Sequence, residues 1–332
     1  MADLRASDPD RGQIVLVAAL VLALAFVALA IVVNSAIFTE NLATRSEVPG
    51  SADALEYRHE VAQSVGALVT HVNMNESEDP TAVSDMQNHV SDIGVQGGIQ
   101  QSSLGRVVNV SHASQEDGDL IAQTDFRRNF TSASTGWETE WQLAGSVSKT
   151  RNVQFSLNLT NDPLVDAGSD GFRMYVEDTS TGDFWNMTVD SDTLSNDNIN
   201  VRIDSPAAGS SQVCERDDVG DNVSIDLSRG TVAGEPCPAL SRLSDGTEMW
   251  FANNLNTYDI HFQQADEIEG TFSMVVEDGT ANPTGDLATG YSDIDPYVVD
   301  DALYSLTVEY TYNTPSVVYE TVIEAAPGEV PP

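Results

Sequence analysis

The chain has 332 residues, enough for one large or two modest domains with real cores, so small size forces no metal or disulfide staple. Its 52 Asp and Glu against 14 Lys and Arg leave a formal net charge of −38, and Lys149 is the only lysine. Such a surface repels phosphate backbones, which excludes nucleic acid as a partner, and molar salt suits it, because there the screening length shrinks to about 3 Å and self-repulsion fades. Intrinsic disorder also pairs high charge with polarity. The 41% hydrophobic content, four Trp, nine Tyr and periodic segments argue for a folded chain.

In chain order, the first element is the apolar run from Ile14 to Val33, twenty residues without charge, glycine or proline. As a helix it would cover about 30 Å, the thickness of a bilayer's hydrocarbon core. A removable secretory leader has a shorter apolar region and then a small-residue cleavage site. Here Ala28-Leu29-Ala30 lies inside the run. The run is rich in alanine, which permits close helix packing in lipid but is also a good helix former anywhere. The sequence NSAIFTENLATRSEV has nothing to break a helix before Pro49-Gly50, so the spacing predicts a helix over Gln13 to Val48, longer than an anchor needs.

Arg11-Gly12-Gln13, directly before the apolar run, resembles the class III signal of type IV pilin-like proteins of extremely halophilic archaea. The resemblance covers about the first 45 residues. It implies cleavage between Gly12 and Gln13 by a prepilin peptidase, an N-terminus inside the cell, and other pilin-like subunits as partners. The flanking charges, Arg5 and Arg11 before the run and Arg45 and Arg58 after it, hardly set orientation by themselves. Many pilins carry a glutamate at the fifth mature position. Val17 stands there in this chain, so the resemblance speaks more directly to processing than to filament assembly.

SADALEYRHEVAQSVGALVTHVN reads as an amphipathic helix opening at Ser51, with Leu55, Val61, Val65, Leu68, Val69 and Val72 along one face. A shorter helix is predicted in TAVSDMQNHVSDI, where Val83, Met86, Val90 and Ile93 keep step. The Gly-, Gln- and Ser-rich stretch from Gly94 to Gly118 reads as an exposed connection. Beyond Trp137 the period becomes two. Val153, Phe155, Leu157 and Leu159 alternate with polar residues, and FRMYVE and FWNMTV flank a Ser180-Thr181-Gly182-Asp183 turn as a hairpin. NVRI, NVSIDL, TYDIHF, TFSMVVE, YSLTVEYTY and SVVYETVIE are further strand candidates. The organisation expected is a leader over 1–12, a transmembrane and extended helix over 13–48, a helical and linker region over 49–118, an antiparallel β-rich, sandwich-like extracellular domain over 119–326, and a loose tail over 327–332. The fold class expected is α+β.

Cys214 and Cys237 are the only cysteines, and outside the cell they would pair. Two cysteines with no nearby histidine make no zinc site. Six Asn-x-Ser/Thr sequons, at Asn75, Asn109, Asn129, Asn158, Asn186 and Asn222, are glycosylation candidates in an exported domain, although chance gives several in a chain this rich in Asn, Ser and Thr. Asn158 falls on the polar positions of its strand. Asp217, Asp218 and Asp221, followed by Asp226, form one acidic cluster, and Asp286, Asp293 and Asp295 another. Oxygen ligands of this kind suit a structural calcium ion, but in a chain with 52 acidic residues solvated acid on a halophilic surface is the better explanation, and neither cluster has EF-hand spacing. No other cofactor is implied.

His59-Glu60 lacks the second histidine of a zincin helix, no GxSxG, GxxxxGK[ST] or GxGxxG motif occurs, and the five histidines are dispersed. The function expected is therefore not enzymatic. It is a pilin-like cell-surface structural subunit, single-pass in the cell membrane, in contact with lipid, with its C-terminal domain outside. The alternative is a solitary anchored protein whose domain binds glycan or another envelope component without assembling.

Overall fold

The computed structural model describes residues 51–75, 81–132, 137–160, 171–191, 198–205, 212–241, 255–281 and 297–326. The Arg11-Gly12-Gln13 junction, the run from Ile14 to Val33, the helix expected up to Val48 and the acidic trio Asp286, Asp293 and Asp295 lie outside those residues. Among the described residues no helix is long and apolar enough to cross a membrane.

The α+β expectation is corrected. The described residues are 52% strand and 22% helix, and the strands form two antiparallel sheets. Helix α1 spans Ser51–Asn75 and α2 spans Met86–Ser102. The strands are β1 (Val107–Gln123), β2 (Trp141–Val147), β3 (Thr150–Asn158), β4 (Phe172–Asp178), β5 (Phe184–Asp190), β6 (Asn198–Asp204), β7 (Gln212–Asp217), β8 (Asn222–Asp226), β9 (Thr231–Val232) and β10 (Glu235–Pro236). After the short helix α3 (Pro238–Ser241) come β11 (Tyr258–Gln263), β12 (Gly270–Glu277), β13 (Tyr297–Asn313) and β14 (Val318–Ala325). The larger sheet runs β10-β9-β8-β3-β12-β1-β13-β14, the smaller β2-β11-β4-β5-β6-β7.

The two sheets face each other over an aromatic centre. Alternation along β3 sends Val153, Phe155 and Leu157 inward, as the sequence predicts, and β4 and β11 answer with Phe172 and Phe262. Phe130, from the loop after β1, fills the middle, with its ring 5.2 Å from Phe272 and 5.3 Å from Phe172, both edge-on. The Trp141 Nε1–H donates to the Phe130 carbonyl at 2.9 Å, which fixes that loop. Tyr258 of the smaller sheet donates its hydroxyl to Thr150 Oγ1 of the larger at 2.9 Å, so this buried hydroxyl is satisfied across the core. The β4–β5 hairpin closes as predicted. Asp178 at its mouth accepts from the Ser180 hydroxyl and from the Ser180 and Thr181 N–H groups, which hold its carboxyl well below the ordinary value of 3.8.

A second core lies under the helices. The seventeen-residue strands β1 and β13 pair from Val107↔Asn313 to Gln123↔Tyr297, running from one core into the other. At one end Ile121 reaches the aromatic centre. At the other, Val108, Val110, Val308, Tyr310 and Tyr312 are buried against Val61, Val65, Val69 and Val72 of α1 and Met86 and Val90 of α2. Leu55 does not join the buried stripe: it is 55% exposed, and Ala54 and Tyr57 take the inner positions of that turn.

The stretch from Gly94 to Gly118 is not a connection. It holds the rest of α2 and most of β1. The physical reason is an open edge: β12 pairs with β1 only over Gly118–Gln123, so the outer part of β1 has no strand on that side, and α2 packs against it. Gly94 comes so close that a Cβ there would overlap the Val110 carbonyl oxygen.

Candidate functional site

Two features join separate parts of the chain, and each starts from a simple residue type. The first is the cysteine pair. Cys214, in edge strand β7 of the smaller sheet, is bonded to Cys237, which follows edge strand β10 of the larger. Both are buried. The bridge therefore staples one sheet to the other at a corner of the β-rich unit. Arg216 closes the same corner by donating from Nη2 to the Pro236 carbonyl at 2.5 Å, with Glu235 at 3.8 Å from its Nε.

The second feature is the seating of α1, the element that follows residues 1–50. At its first turn Asp53 pairs with Arg106, just before β1, at 2.6 Å, and the Ala54 carbonyl accepts the Tyr310 hydroxyl of β13 at 3.1 Å. Burial pushes the Tyr310 hydroxyl well above its ordinary value, so it stays protonated as a donor. At the last turn the Asn73 side chain makes two hydrogen bonds to the backbone of Leu303 in β13. The helix is thus tied to the large sheet at both ends. Sequence reasoning missed Asn73, although the signal existed: an amide on the same face as Val65, Val69 and Val72.

Residues 8–137 match DUF7261, a family of unknown function. That similarity takes in the Arg11-Gly12-Gln13 junction, the apolar run, both long helices and β1. Asp53, Ala54, Asn73 and Arg106 fall inside it, whereas their partners Leu303 and Tyr310 in β13 lie outside. No curated protein and no solved structure matches the chain.

The remaining predicted residues are scattered. Asn109 in β1 and Asn222 at the start of β8 are exposed. Asn129 is half-buried and donates to the Asp266 carbonyl at 2.5 Å, and Asn186 is half-buried on β5. Asn158 is only 4% exposed, with Nδ2 directed at the Phe126 carbonyl and Glu269, so its position is not the open polar face the alternation suggested. Asn75 ends α1. Asp217, Asp218 and Asp221 are all exposed around the turn between β7 and β8, and Asp226 is spent on the Arg229 N–H. Among the described residues no group of three or more His, Cys, Asp or Glu side chains is gathered as a metal site. The histidines stand apart on α1, α2, β1 and β11.

Proposed function

We propose that this chain is a pilin-like structural subunit of the cell surface, held at the membrane by its Ile14–Val33 run, with its N-terminus inside and its acidic β-rich unit outside. The observation that carries this reading is the double fastening of α1. Any force on the N-terminal segment reaches α1 first, and the Asp53–Arg106, Ala54–Tyr310 and Asn73–Leu303 contacts pass it to the longest strand pair of the large sheet. A subunit that assembles through its N-terminal segment needs such a joint. A disulfide inside the β-rich unit supports an oxidising exterior. The net charge of −38 supports a surface bathed in concentrated salt.

Mass spectrometry of the mature chain from native membranes tests the reading, together with cross-linking between N-terminal segments. A chain beginning at Gln13 and cross-linked to pilin-like subunits supports it. A chain beginning at Met1 or Ala2 removes the processing, and an uncross-linked detergent monomer whose deletion leaves surface filaments intact points instead to a solitary anchored binding protein.

A further inference from the structure

The half of the large sheet that lies under the helices has a second face. Along the outer part of β1, Val108 and Val110 point toward α1 and α2 and are buried, while Val107 and Asn109 alternate to the opposite side and are exposed. The register aligns Asn109 with Thr311 of β13 and, through it, Glu320 of β14. The next row is Ser111, Glu309 and Val322. Glu309, Glu320 and Val322 are exposed, and Thr311 and Ser111 are half-buried, so Asn109 stands on an open platform.

Asn109-Val110-Ser111 is also a sequon. In extended backbone, residues two apart share a face about 7 Å from each other, so the Ser111 hydroxyl stands beside the Asn109 amide on this open side. That separates Asn109 from three of its rivals. Asn158 is buried, with its amide nitrogen directed at Phe126 and Glu269, Asn129 is bonded to the Asp266 carbonyl, and the Asn186 Oδ1 is sealed from solvent. Asn222, exposed at the start of β8 with Ser224 exposed two residues on, meets the same criteria.

We propose that Asn109 is a site of N-linked glycosylation, an inference that rests on the β-rich unit being outside the cell. The donor is an oligosaccharide carried on a polyprenyl phosphate. A bond forms between the Asn109 Nδ2 and the anomeric carbon, the bond from that carbon to the phosphate oxygen breaks, the amide loses one proton to a base of the transferase, and the lipid phosphate leaves.

The test is glycopeptide mass spectrometry on the full chain purified from native membranes, beside the variants Asn109→Gln, Ser111→Ala and Asn158→Gln. Ser111→Ala keeps the asparagine, so a folding defect of Asn109→Gln cannot mask the result. Support is a sugar-bearing Asn109 peptide, lost as one glycan mass in both sequon variants and unchanged in Asn158→Gln. Glycan on Asn222 with Asn109 bare overturns the proposal and leaves export intact. Bare sequons throughout, in a domain still cut by protease added to intact cells, also overturn it without touching the surface reading. Bare sequons in a domain that such protease cannot reach overturn both.

Discussion

The Asn73 side chain closes on the backbone of Leu303 as a strand would: its Nδ2 donates to the Leu303 carbonyl at 3.0 Å, and the Leu303 N–H donates to its Oδ1 at 2.8 Å. The β1–β13 register slips at this point, with Glu116 opposite Ser305 but Asp117 opposite Leu303. A helix side chain thus serves the strand where the ladder is irregular. Replacing Asn73 by Ala strands a buried N–H and a buried carbonyl, each costing about 1–3 kcal/mol. Chemical denaturation in molar salt should show a loss of about 2–6 kcal/mol, and a change below ~0.5 kcal/mol would mean that water or a rearranged strand replaces the amide.

The corner disulfide should matter through the unfolded chain. A bridge 23 positions apart contributes about 3 kcal/mol in the loop-entropy account. The paired variant Cys214→Ala with Cys237→Ala should lose that much by equilibrium unfolding while retaining its β-rich circular dichroism. Equal stability with and without the bridge would show that burial at this corner suffices by itself.

Two glycines of α2 make a contrast whose sign is diagnostic. Alanine ordinarily favours a helix over glycine by about 1 kcal/mol. At Gly98 a Cβ would sit 3.5 Å from the Val108 oxygen, an ordinary contact, so Gly98→Ala should be neutral or stabilising. At Gly94 the Cβ would collide with the Val110 oxygen, and overpacking of this kind costs about 1–3 kcal/mol, so Gly94→Ala should lower the melting temperature. Stabilisation by both would place α2 farther from β1.

Asp178 links the β4–β5 turn to acid stability. The carboxyl is held below its ordinary 3.8 by the Ser180 hydroxyl and two N–H groups, so its contribution is complete above that value and disappears as pH falls through the lower folded-state value. Asp178→Asn should therefore be less stable than the parent at pH 7, with the gap closing below about pH 4. A gap of constant size down to pH 2 would assign the effect to turn geometry rather than to charge.

Salt should act on the whole molecule. With a net charge of −38, melting temperature should rise steadily from 0.2 to 3 M KCl, each ~1 kcal/mol of relieved repulsion adding about 2–4 °C. A flat profile in scanning calorimetry would show that repulsion among the carboxylates costs the folded chain no more than it costs the unfolded one.

Legibility in the sequence followed burial. Strand β3 could be read because one face is wholly apolar, and the β4–β5 hairpin because its turn residues sit between two alternating runs. Strand β1 could not. Its middle, Ser111 to Asp117, has no fully buried side chain on either face, so no alternation marks it, and the glycines of α2 that resemble a linker are there because a helix must approach that strand's backbone. Reading this stretch as a connection left out the second half of α2 and hid the strand on which both cores depend.

By itself the sequence determined what local pattern and composition can carry: the acidic surface, the apolar run, the register of α1 by its valines, the alternating strands and the availability of two cysteines for one bridge. Only the tertiary structure decided which sheet edges that bridge joins, that Asn73 faces Leu303 across 230 residues of chain, and that Asn109 is open while Asn158 is sealed. Those facts depend on contacts between residues far apart in sequence, and a period of two or of 3.6 holds no information about what lies across from a side chain.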